Sequence, residues 1–211
     1  MSAPYRLLLV DDHPIIRRGW RQIFDSEPDL EVCAEASDST EALDAVATAR
    51  PDLALIDLSL QGTSGIDLTK LLRREYPDLK IVIISMYGEH LYRERSIGAG
   101  ADEYLSKDRP HELLLDTVRR ILKGHRPTEN SDARGGSRGT AAHPVLSSLT
   151  DREFEILLLL GQGFEPRHIA ERLSLSVNTI ESYRQRLKSK LKLESASELS
   201  RFAIDWYRTQ T

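Results

Sequence analysis

The chain has a single cysteine, Cys33, and therefore cannot close a disulfide within itself. Its longest purely apolar run, Ile156 to Leu160, is far too short to span a bilayer, which takes about 20 residues. The apolar run near the N-terminus is only a strand long and ends in two aspartates, unlike a secretory signal. These absences argue against a disulfide-rich secreted scaffold and a membrane span, and they predict a reduced, cytoplasmic setting.

Charge is unevenly distributed along the 211 residues, whose net charge is −4. Residues 1–124 carry 16 basic and 22 acidic side chains, a net charge of −6. Residues 146–211 carry 10 basic and 9 acidic side chains, so the second part is almost neutral. The acidic first part is a poor partner for nucleic acid. In the second part, basic residues favour nucleic-acid binding only where they cluster.

Acid, hydroxyl and amine groups come at the ends of four short apolar runs. Asp11 and Asp12 follow LLLV, Asp57 follows LALI, Ser85 follows IVII, and Lys107 follows EYLS. Such runs, with helical patterns between them, are typical of parallel strands buried on both faces. Because ligands bind beyond the carboxyl ends of such strands, we expect these side chains to meet at one edge of the sheet.

The wider pattern predicts two domains of different class. The first, residues 1–124, is a doubly wound α/β domain with strands near 5–10, 30–36, 53–57, 80–84 and 102–105 and helices near 14–25, 39–49, 64–75, 88–98 and 110–123. Residues 125–145, rich in Gly, Ser, Thr, Arg and Pro, are predicted to be a flexible linker. The second domain, residues 146–211, is predicted to be all helical, with helices near 151–161, 166–173, 177–191 and 195–207.

The group at the strand ends suits phosphoryl transfer. Adjacent carboxylates repel one another unless a cation intervenes, and Mg²⁺ takes carboxylates, waters and phosphate oxygens as ligands. Asp11 and Asp12 would hold the metal, which leaves Asp57 to act as a nucleophile toward phosphorus. Lys107 would neutralise the charge of the phosphoryl group, and Ser85 would donate a hydrogen bond to it.

Over residues 5–123 the chain resembles the receiver domain of two-component response regulators, through LLLVDDHP, LALIDLSLQGTSG, IVIIS and GADEYLSKD. The resemblance implies a flavodoxin-like fold with strand order 2-1-3-4-5. It also implies that Asp57 takes a phosphoryl group from the phosphohistidine of a sensor histidine kinase. The backbone carbonyl of Ser59 would be a further Mg²⁺ ligand, and Ser85 and Tyr104 would form a switch pair.

One enzyme alternative also uses an aspartate nucleophile after a strand. Haloacid-dehalogenase-type phosphatases need a second acid two residues later, and that position is Ser59 here. The chain is therefore predicted not to be an enzyme beyond its own phosphoacceptor and autodephosphorylation chemistry. Two departures from common receivers concern the loops, with Leu60-Gln61 in place of Met-Pro and Asp108 in place of the proline after the lysine.

The second part has the layout of a helix-turn-helix. A short helix from Pro166, the turn Ser174–Ser176 and a helix from Val177 follow one another. The predicted small core consists of Ile169, Ala170, Leu173, Ile180 and Leu187. A basic cluster on or just after the second helix, suited to DNA phosphates, consists of Arg184, Arg186, Lys188, Lys190 and Lys192.

Over residues 147–207 the chain resembles the LuxR-type helix-turn-helix of the NarL/FixJ response-regulator subfamily. The matching positions are Leu149-Thr150, Arg152-Glu153, Gly163, Ile169-Ala170, Leu173, Ser176, Thr179-Ile180 and Lys190-Leu191. By that resemblance the major groove of double-stranded promoter DNA would be contacted by Asn178, Thr179, Glu181, Ser182 and Gln185. Glu181 stands where a lysine is common, and an acid there accepts from cytosine N4 or weakens binding, so we expect an altered base preference.

The last helix carries an apolar stripe at i, i+3, i+4 and i+7, formed by Leu199, Phe202, Ala203 and Trp206. Part of it must pack on the other helices of so small a domain. The resemblance implies that the remainder pairs two DNA-binding domains on a two-fold operator.

Together these observations predict a phosphorylation-controlled DNA-binding transcription regulator that forms a homodimer when phosphorylated. Phosphorylation of Asp57 would shift the receiver between two packings and so alter dimerisation and promoter binding. One alternative is a DNA-binding regulator whose receiver dimerises independently of phosphorylation. Another is a signalling module that acts through protein contacts alone; the basic second helix argues against it.

Overall fold

The computed structural model describes residues 3–60, 62–86, 89–124 and 146–210. The chain divides into two compact units, Met1–Ser131 and Asp132–Thr211. The predicted linker, residues 125–145, lies outside the described residues, so its flexibility and the predicted domain bounds stay predictions.

One parallel sheet forms the centre of the first unit. Its strands are β1 (Tyr5–Val10), β2 (Leu30–Ala36), β3 (Leu53–Asp57), β4 (Lys80–Ser85) and β5 (Glu103–Ser106). They lie in the order β2-β1-β3-β4-β5, and every neighbouring pair is parallel. The predicted flavodoxin-like strand order is confirmed. The order reverses between β1 and β3, which is where ligands bind in sheets of this kind.

Five helices cover the two faces of this sheet. They are α1 (Pro14–Asp25), α2 (Ser39–Ala49), α3 (Gly65–Glu75), α4 (Glu89–Gly98) and α5 (His111–Leu122). Strand residues such as Leu7 and Leu55 form one core with Phe24 of α1 and Val118 of α5. Their chain neighbours, which point to the other face, are equally buried, and α2, α3 and α4 contact the strands there. Burial on both faces explains why the strand runs are uniformly apolar.

Two helix starts in the first unit have distinct caps. The Asp38 carboxylate caps α2 by accepting from the backbone N–H groups of Thr40 and Glu41, at 2.8 and 2.9 Å. The Glu41 carboxylate accepts from the backbone N–H and hydroxyl of Ser37 instead of the Asp38 N–H, so only half of a capping box is formed. Pro110 precedes α5 as its N-cap.

The second unit is helical, as predicted. A 3₁₀ turn, Leu146–Ser148, precedes α6 (Asp151–Gly161), α7 (Pro166–Arg172), α8 (Val177–Leu191) and α9 (Ala196–Gln210). A capping box of Thr150 and Glu153 is present at the start of α6. The five predicted core residues, Ile169, Ala170, Leu173, Ile180 and Leu187, are all buried.

The turn between α7 and α8 is tight. Ser174 adopts a left-handed conformation with φ of 51°, and the Leu175 N–H donates to the Ala170 carbonyl at 2.8 Å. The Ser176 hydroxyl then caps α8 by accepting from the Thr179 N–H at 3.0 Å. None of the helices in the described residues is long and apolar enough to cross a bilayer.

Candidate functional sites

Three acidic residues meet at the carboxyl edge of the sheet in the first unit. Asp11 and Asp12 follow β1, and Asp57 is the last residue of β3. One ligand atom each from Asp11, Asp12, Asp57 and His13 lies within 4.8 Å of all the others. Asp11 and Asp57 are almost fully buried, whereas Asp12 is partly exposed. The sequence-predicted carboxylates are therefore brought together, with His13 as an addition.

Lys107 reaches this cluster from the end of β5. Its ammonium nitrogen lies 2.8 Å from Asp11 Oδ2 and 3.1 Å from Asp57 Oδ2. The Lys107 backbone N–H donates to the Ser85 carbonyl at 2.6 Å, which extends the pairing of β4 with β5 by one residue. The ammonium thus bridges carboxylates at the ends of two different strands. From there it can form an ion pair with a negatively charged group attached to either carboxylate.

Burial sets the protonation properties of the cluster. Desolvation, partly offset by Lys107, raises the pKa of Asp57 from 3.8 to about 7. Burial also raises the pKa of Asp12, against the attraction of His13. Desolvation works against the charged form of Lys107, but Asp57 and Asp11 outweigh it and raise the pKa of this ammonium. Three carboxylates beside one ammonium leave a site that favours additional positive charge.

The donor set fits a hard divalent cation. Asp12 Oδ1 is buried and has no hydrogen bond of acceptable geometry from the described residues. The ring nitrogen Nδ1 of His13 lies 2.7 Å from this oxygen, so the contact is an ion-pair distance without hydrogen-bond alignment. Carboxylate oxygens are the ligands that Mg²⁺ prefers, and an acidic pocket of this kind is what receivers use for a metal.

Three residues that the sequence did not single out support the site. The His13 backbone N–H donates to Asp11 Oδ1 at 2.8 Å. The Arg17 guanidinium donates to the Asp11 backbone carbonyl and to Glu35 of β2, at 2.5 and 2.9 Å. A Cβ on Gly65 would lie 2.2 Å from the backbone carbonyl oxygen at the end of β3. Arg17 lies five residues after Asp12, in the first turn of α1, and this proximity is the sequence signal for it.

The other predicted residues of this site occupy neighbouring strand ends. Ser85 is the last residue of β4 and pairs in register with Ser106, the residue before Lys107. Tyr104, on β5, is fully buried in this structure. Ser59 lies two residues after β3 and forms an isolated bridge with Ser64. These positions are compatible with the predicted roles, which stay predictions.

In the second unit, the first half of α8 presents a polar surface. Asn178, Ser182 and Gln185 are exposed, and Glu181 is 46% exposed between them. The Thr179 hydroxyl lies 2.7 Å from that of Ser176. The first residues of the second helix in a helix-turn-helix contact base edges in the major groove. This surface has the position and the hydrogen-bonding groups for such contacts.

The basic residues predicted to contact phosphate fall into two groups. Arg186 is exposed, with its guanidinium carbon 5.3 Å from the centre of the Tyr183 ring, and Lys192 is also exposed. Arg184 is only 14% exposed, and its Nη1 donates to Glu181 at 2.5 Å. The geometry therefore favours an internal role for Arg184 over the predicted phosphate contact.

Lys190 differs from the prediction in the same way. Its ammonium donates to Glu153 Oε2 at 2.6 Å and to the Ser148 carbonyl at 3.1 Å, which ties the end of α8 to the start of α6. Desolvation opposes ionisation of Glu153, but hydrogen bonds from Lys190 and Thr150 outweigh it and lower the pKa of this carboxyl. The charge of Lys190 is therefore used within the unit, where a phosphate contact had been predicted.

The predicted apolar stripe on α9 divides into buried and partly exposed residues. Leu199 and Ala203 are fully buried, and α9 packs mainly on α6. A Cβ on Gly161 of α6 would lie 2.7 Å from the Ala203 carbonyl oxygen, so the two helices approach closely. Trp206 stacks edge-on against Phe154 with ring centres 5.6 Å apart. Leu199 and Ala203 thus form the part of the stripe that packs within the unit, as expected, while Phe202 and Trp206 are partly exposed. The pairing of two domains through the remainder stays a prediction.

Comparison with known families matches both units. Residues 7–119 match the response regulator receiver domain, and residues 147–203 match the bacterial regulatory proteins of the luxR family. The chain is 33% identical over 210 residues to the oxygen regulatory protein NreC of Staphylococcus epidermidis, covering 94% of this chain and 96% of that protein.

Solved structures show the same likeness. A two-component response regulator of the LuxR family from Aurantimonas sp. SI85-9A1 is 33% identical, with a TM-score of 0.57 over 61% of this chain and 91% of that one. RcsB from Salmonella enterica serovar Typhimurium, solved bound to a promoter in the presence of phosphomimetic BeF₃⁻, is 24% identical. Its TM-score is 0.62 over 94% of this chain and 98% of that one, which shows a shared fold.

Proposed function

The chain belongs to the response regulators of the NarL/FixJ subfamily, which join a receiver domain to a LuxR-type DNA-binding domain, and on that premise we propose that Asp57 is its phosphorylated residue. The protein is a phosphorylation-controlled transcription regulator and not a classical enzyme. The observation that carries the proposal is the bridge of Lys107 between Asp11 and Asp57 at 2.8 and 3.1 Å.

In the proposed reaction, a carboxylate oxygen of Asp57 attacks the phosphorus of a phosphohistidine on a sensor histidine kinase. The P–N bond breaks, the imidazole leaves, and an aspartyl phosphate forms. Lys107 then pairs with a phosphoryl oxygen while it keeps its contact with Asp11. Ser85 donates its hydroxyl to the phosphoryl group, and Tyr104 moves with it as the second member of a switch pair. Water later hydrolyses the acyl phosphate in the same site, which resets the receiver.

Mg²⁺ is the proposed cofactor, held by Asp11, Asp12, Asp57 and the Ser59 carbonyl. The metal would offset the negative charge that accumulates as phosphate approaches three carboxylates. The convergence of Asp11, Asp12 and Asp57, whose ligand atoms lie within 4.8 Å of one another, is the feature of the structure that supports this assignment. Within the site, Arg17 and His13 hold the Asp11 backbone and side chain in place.

The second domain is proposed to contact promoter DNA through α8. Asn178, Ser182 and Gln185 would lie in the major groove, and Arg186 would contact a phosphate. Their exposure supports this orientation. Phosphorylation is proposed to favour a homodimer, which would match a two-fold operator.

One experiment tests phosphorylation at Asp57. The full chain and the Asp57→Asn variant are incubated with a small-molecule phosphodonor and Mg²⁺, and incorporated phosphate is measured by intact mass. Asp67→Asn is the matched control, because Asp67 lies on α3 with a side chain that is 47% exposed. We expect labelling of the parent and of the control but none of Asp57→Asn. Persistent labelling of Asp57→Asn would place the phosphoacceptor elsewhere.

A second experiment tests control of DNA binding. Binding to promoter DNA and molecular mass are measured with and without BeF₃⁻ and Mg²⁺, which together mimic an aspartyl phosphate. Tighter binding with a shift to dimer is expected. Equal binding in both states would contradict control of DNA affinity through Asp57 and would leave a regulator that works independently of phosphorylation.

A further inference from the structure

Glu181 is the single acid among the 15 residues of α8. It shares one face of this helix with Asn178 three residues before, Ser182 beside it and Gln185 four residues after. Its side chain is 46% exposed at the middle of the face proposed to enter the major groove. A carboxylate at this point would repel DNA phosphates unless it has a cation of its own and a donor on the bases.

Arg184 supplies that cation from within the domain. Its Nη1 donates to Glu181 Oε1 at 2.5 Å, while only 14% of the Arg184 side chain is exposed. Arg184 Nε is buried and has no hydrogen-bond partner in the part of the chain that the structure describes. A guanidinium so enclosed cannot turn outward to a phosphate without leaving its pocket. Its charge is therefore committed to Glu181.

The pair leaves one carboxylate oxygen available. Oε2 of Glu181 accepts no hydrogen bond from the described residues. An ionised carboxylate only accepts, so it can bind a base edge only where that edge presents a donor. In the major groove guanine presents acceptors and thymine an acceptor and a methyl group, whereas cytosine presents the N4 amine. Adenine also has an amine, but the N7 acceptor beside it would face the second carboxylate oxygen.

We propose that Glu181 selects a C·G base pair by accepting a hydrogen bond from cytosine N4, and that Arg184 is the positioning residue that holds its carboxylate. This inference rests on the proposed contact of α8 with DNA and specifies which base one residue recognises. Glu181 and Arg184 then act as one unit of low net charge, and attraction to phosphate comes from other residues such as Arg186.

The test is selection from a pool of randomised double-stranded DNA, using the full chain with BeF₃⁻ and Mg²⁺. The parent is compared with Glu181→Gln, which keeps the side-chain shape but replaces one acceptor oxygen by a donor. We expect the parent to require C·G at one position of each half-site, where a mismatch weakens binding by about 5- to 150-fold. Glu181→Gln should lose this requirement and keep the preferences at the other positions.

Two outcomes would overturn the inference. One is the same set of preferred bases for the parent and Glu181→Gln. The other is a uniform change in affinity at every position, since that would make Glu181 a general electrostatic element. Failure of the parent to enrich any sequence is a different result, because it would contradict the proposed DNA binding itself.

Arg184→Met and Arg184→Lys separate positioning from simple structural support. Each variant is first checked by thermal unfolding, since Arg184 is largely buried. The preference for C·G at the Glu181 position should fall in the order parent, Arg184→Lys, Arg184→Met. The salt dependence of binding should stay that of the parent. Equal weakening on all sequences, or a salt slope lowered by about 0.9 as for a lost phosphate contact, would refute the positioning role.

Discussion

Replacing Asp57 by asparagine should stabilise the metal-free receiver domain at neutral and alkaline pH. Burial raises the pKa of Asp57 to about 7, from 3.8 in an exposed carboxyl. The folded chain therefore holds this proton more tightly than the unfolded chain, and folding becomes less favourable as pH rises from about 4 through 7. Asparagine resembles the protonated carboxyl, so the variant does not lose free energy of unfolding as a buried carboxyl ionises.

The size of the effect follows from the same shift. One pKa unit corresponds to about 1.4 kcal/mol, so Asp57→Asn should raise the free energy of unfolding by up to about 4 kcal/mol at pH 8. At pH 5 the gain should shrink to about 2 kcal/mol, because this pH is much closer to the pKa of the carboxyl in the unfolded chain. Mg²⁺ should reduce the difference further, since it binds the folded parent preferentially.

The assay exploits the two tryptophans of the chain, Trp20 on α1 and Trp206 on α9. With Trp206→Phe in both proteins, Trp20 fluorescence reports urea unfolding of the receiver alone. Unfolding is followed with EDTA and with Mg²⁺, at several pH values between 5 and 8. A parent that is as stable as the variant at pH 8, or a difference that does not depend on pH, would refute the reasoning.

Three further outcomes are expected. Gly65→Ala should cost about 1–3 kcal/mol of receiver stability and reduce phosphodonor labelling, because the new Cβ would lie 2.2 Å from a carbonyl oxygen; Gly19→Ala, with no atom within 4 Å, should instead stabilise α1 by about 0.5–1 kcal/mol. Lys190→Met should lower the free energy of unfolding of the second domain, measured in urea, by about 1–2 kcal/mol. Because the pKa of Glu153 is lowered in the folded domain, the loss should be full above about pH 5 and should vanish as the pH falls through the pKa of Glu153 in the folded domain. Arg186→Ala should lower the salt slope of DNA binding by about 0.9, and an unchanged slope would remove this side chain from the interface.

The fold could be predicted because its signals are local and repeated. Apolar runs such as Leu53–Ile56 alternate with amphipathic helices, and that alternation admits few arrangements. The main site could be predicted for a related reason, since the carboxyl ends of parallel strands converge. Asp11, Asp57 and Lys107 are far apart along the chain but lie at the ends of β1, β3 and β5. The structure places the Lys107 ammonium within 3.1 Å of a carboxylate oxygen of both aspartates.

The direction of side chains on helices could not be predicted. Lys190 and Arg186 both lie on α8 and both resemble phosphate contacts in sequence, but Lys190 meets Glu153, 37 residues earlier. The stripe on α9 was expected to divide between packing inside the domain and pairing of two domains, and its pattern did not say which residues do which; Leu199 and Ala203 are the buried ones. Periodicity identifies a face, but which surface covers that face depends on tertiary packing.

The proposed phosphoryl site draws its residues from three separated strands, and this has a consequence for protein synthesis. A nascent chain that has emerged only as far as β3 carries all three carboxylates but lacks the ammonium of Lys107. The neighbour of β3 in the sheet, β4, is also missing at that stage, so the acids have no complete sheet edge to occupy. If Asp57 is the phosphoacceptor as proposed, competence to receive a signal arises only after β5 has left the ribosome. Truncated translation products that end before it should be silent toward the kinase and cannot compete for its phosphate.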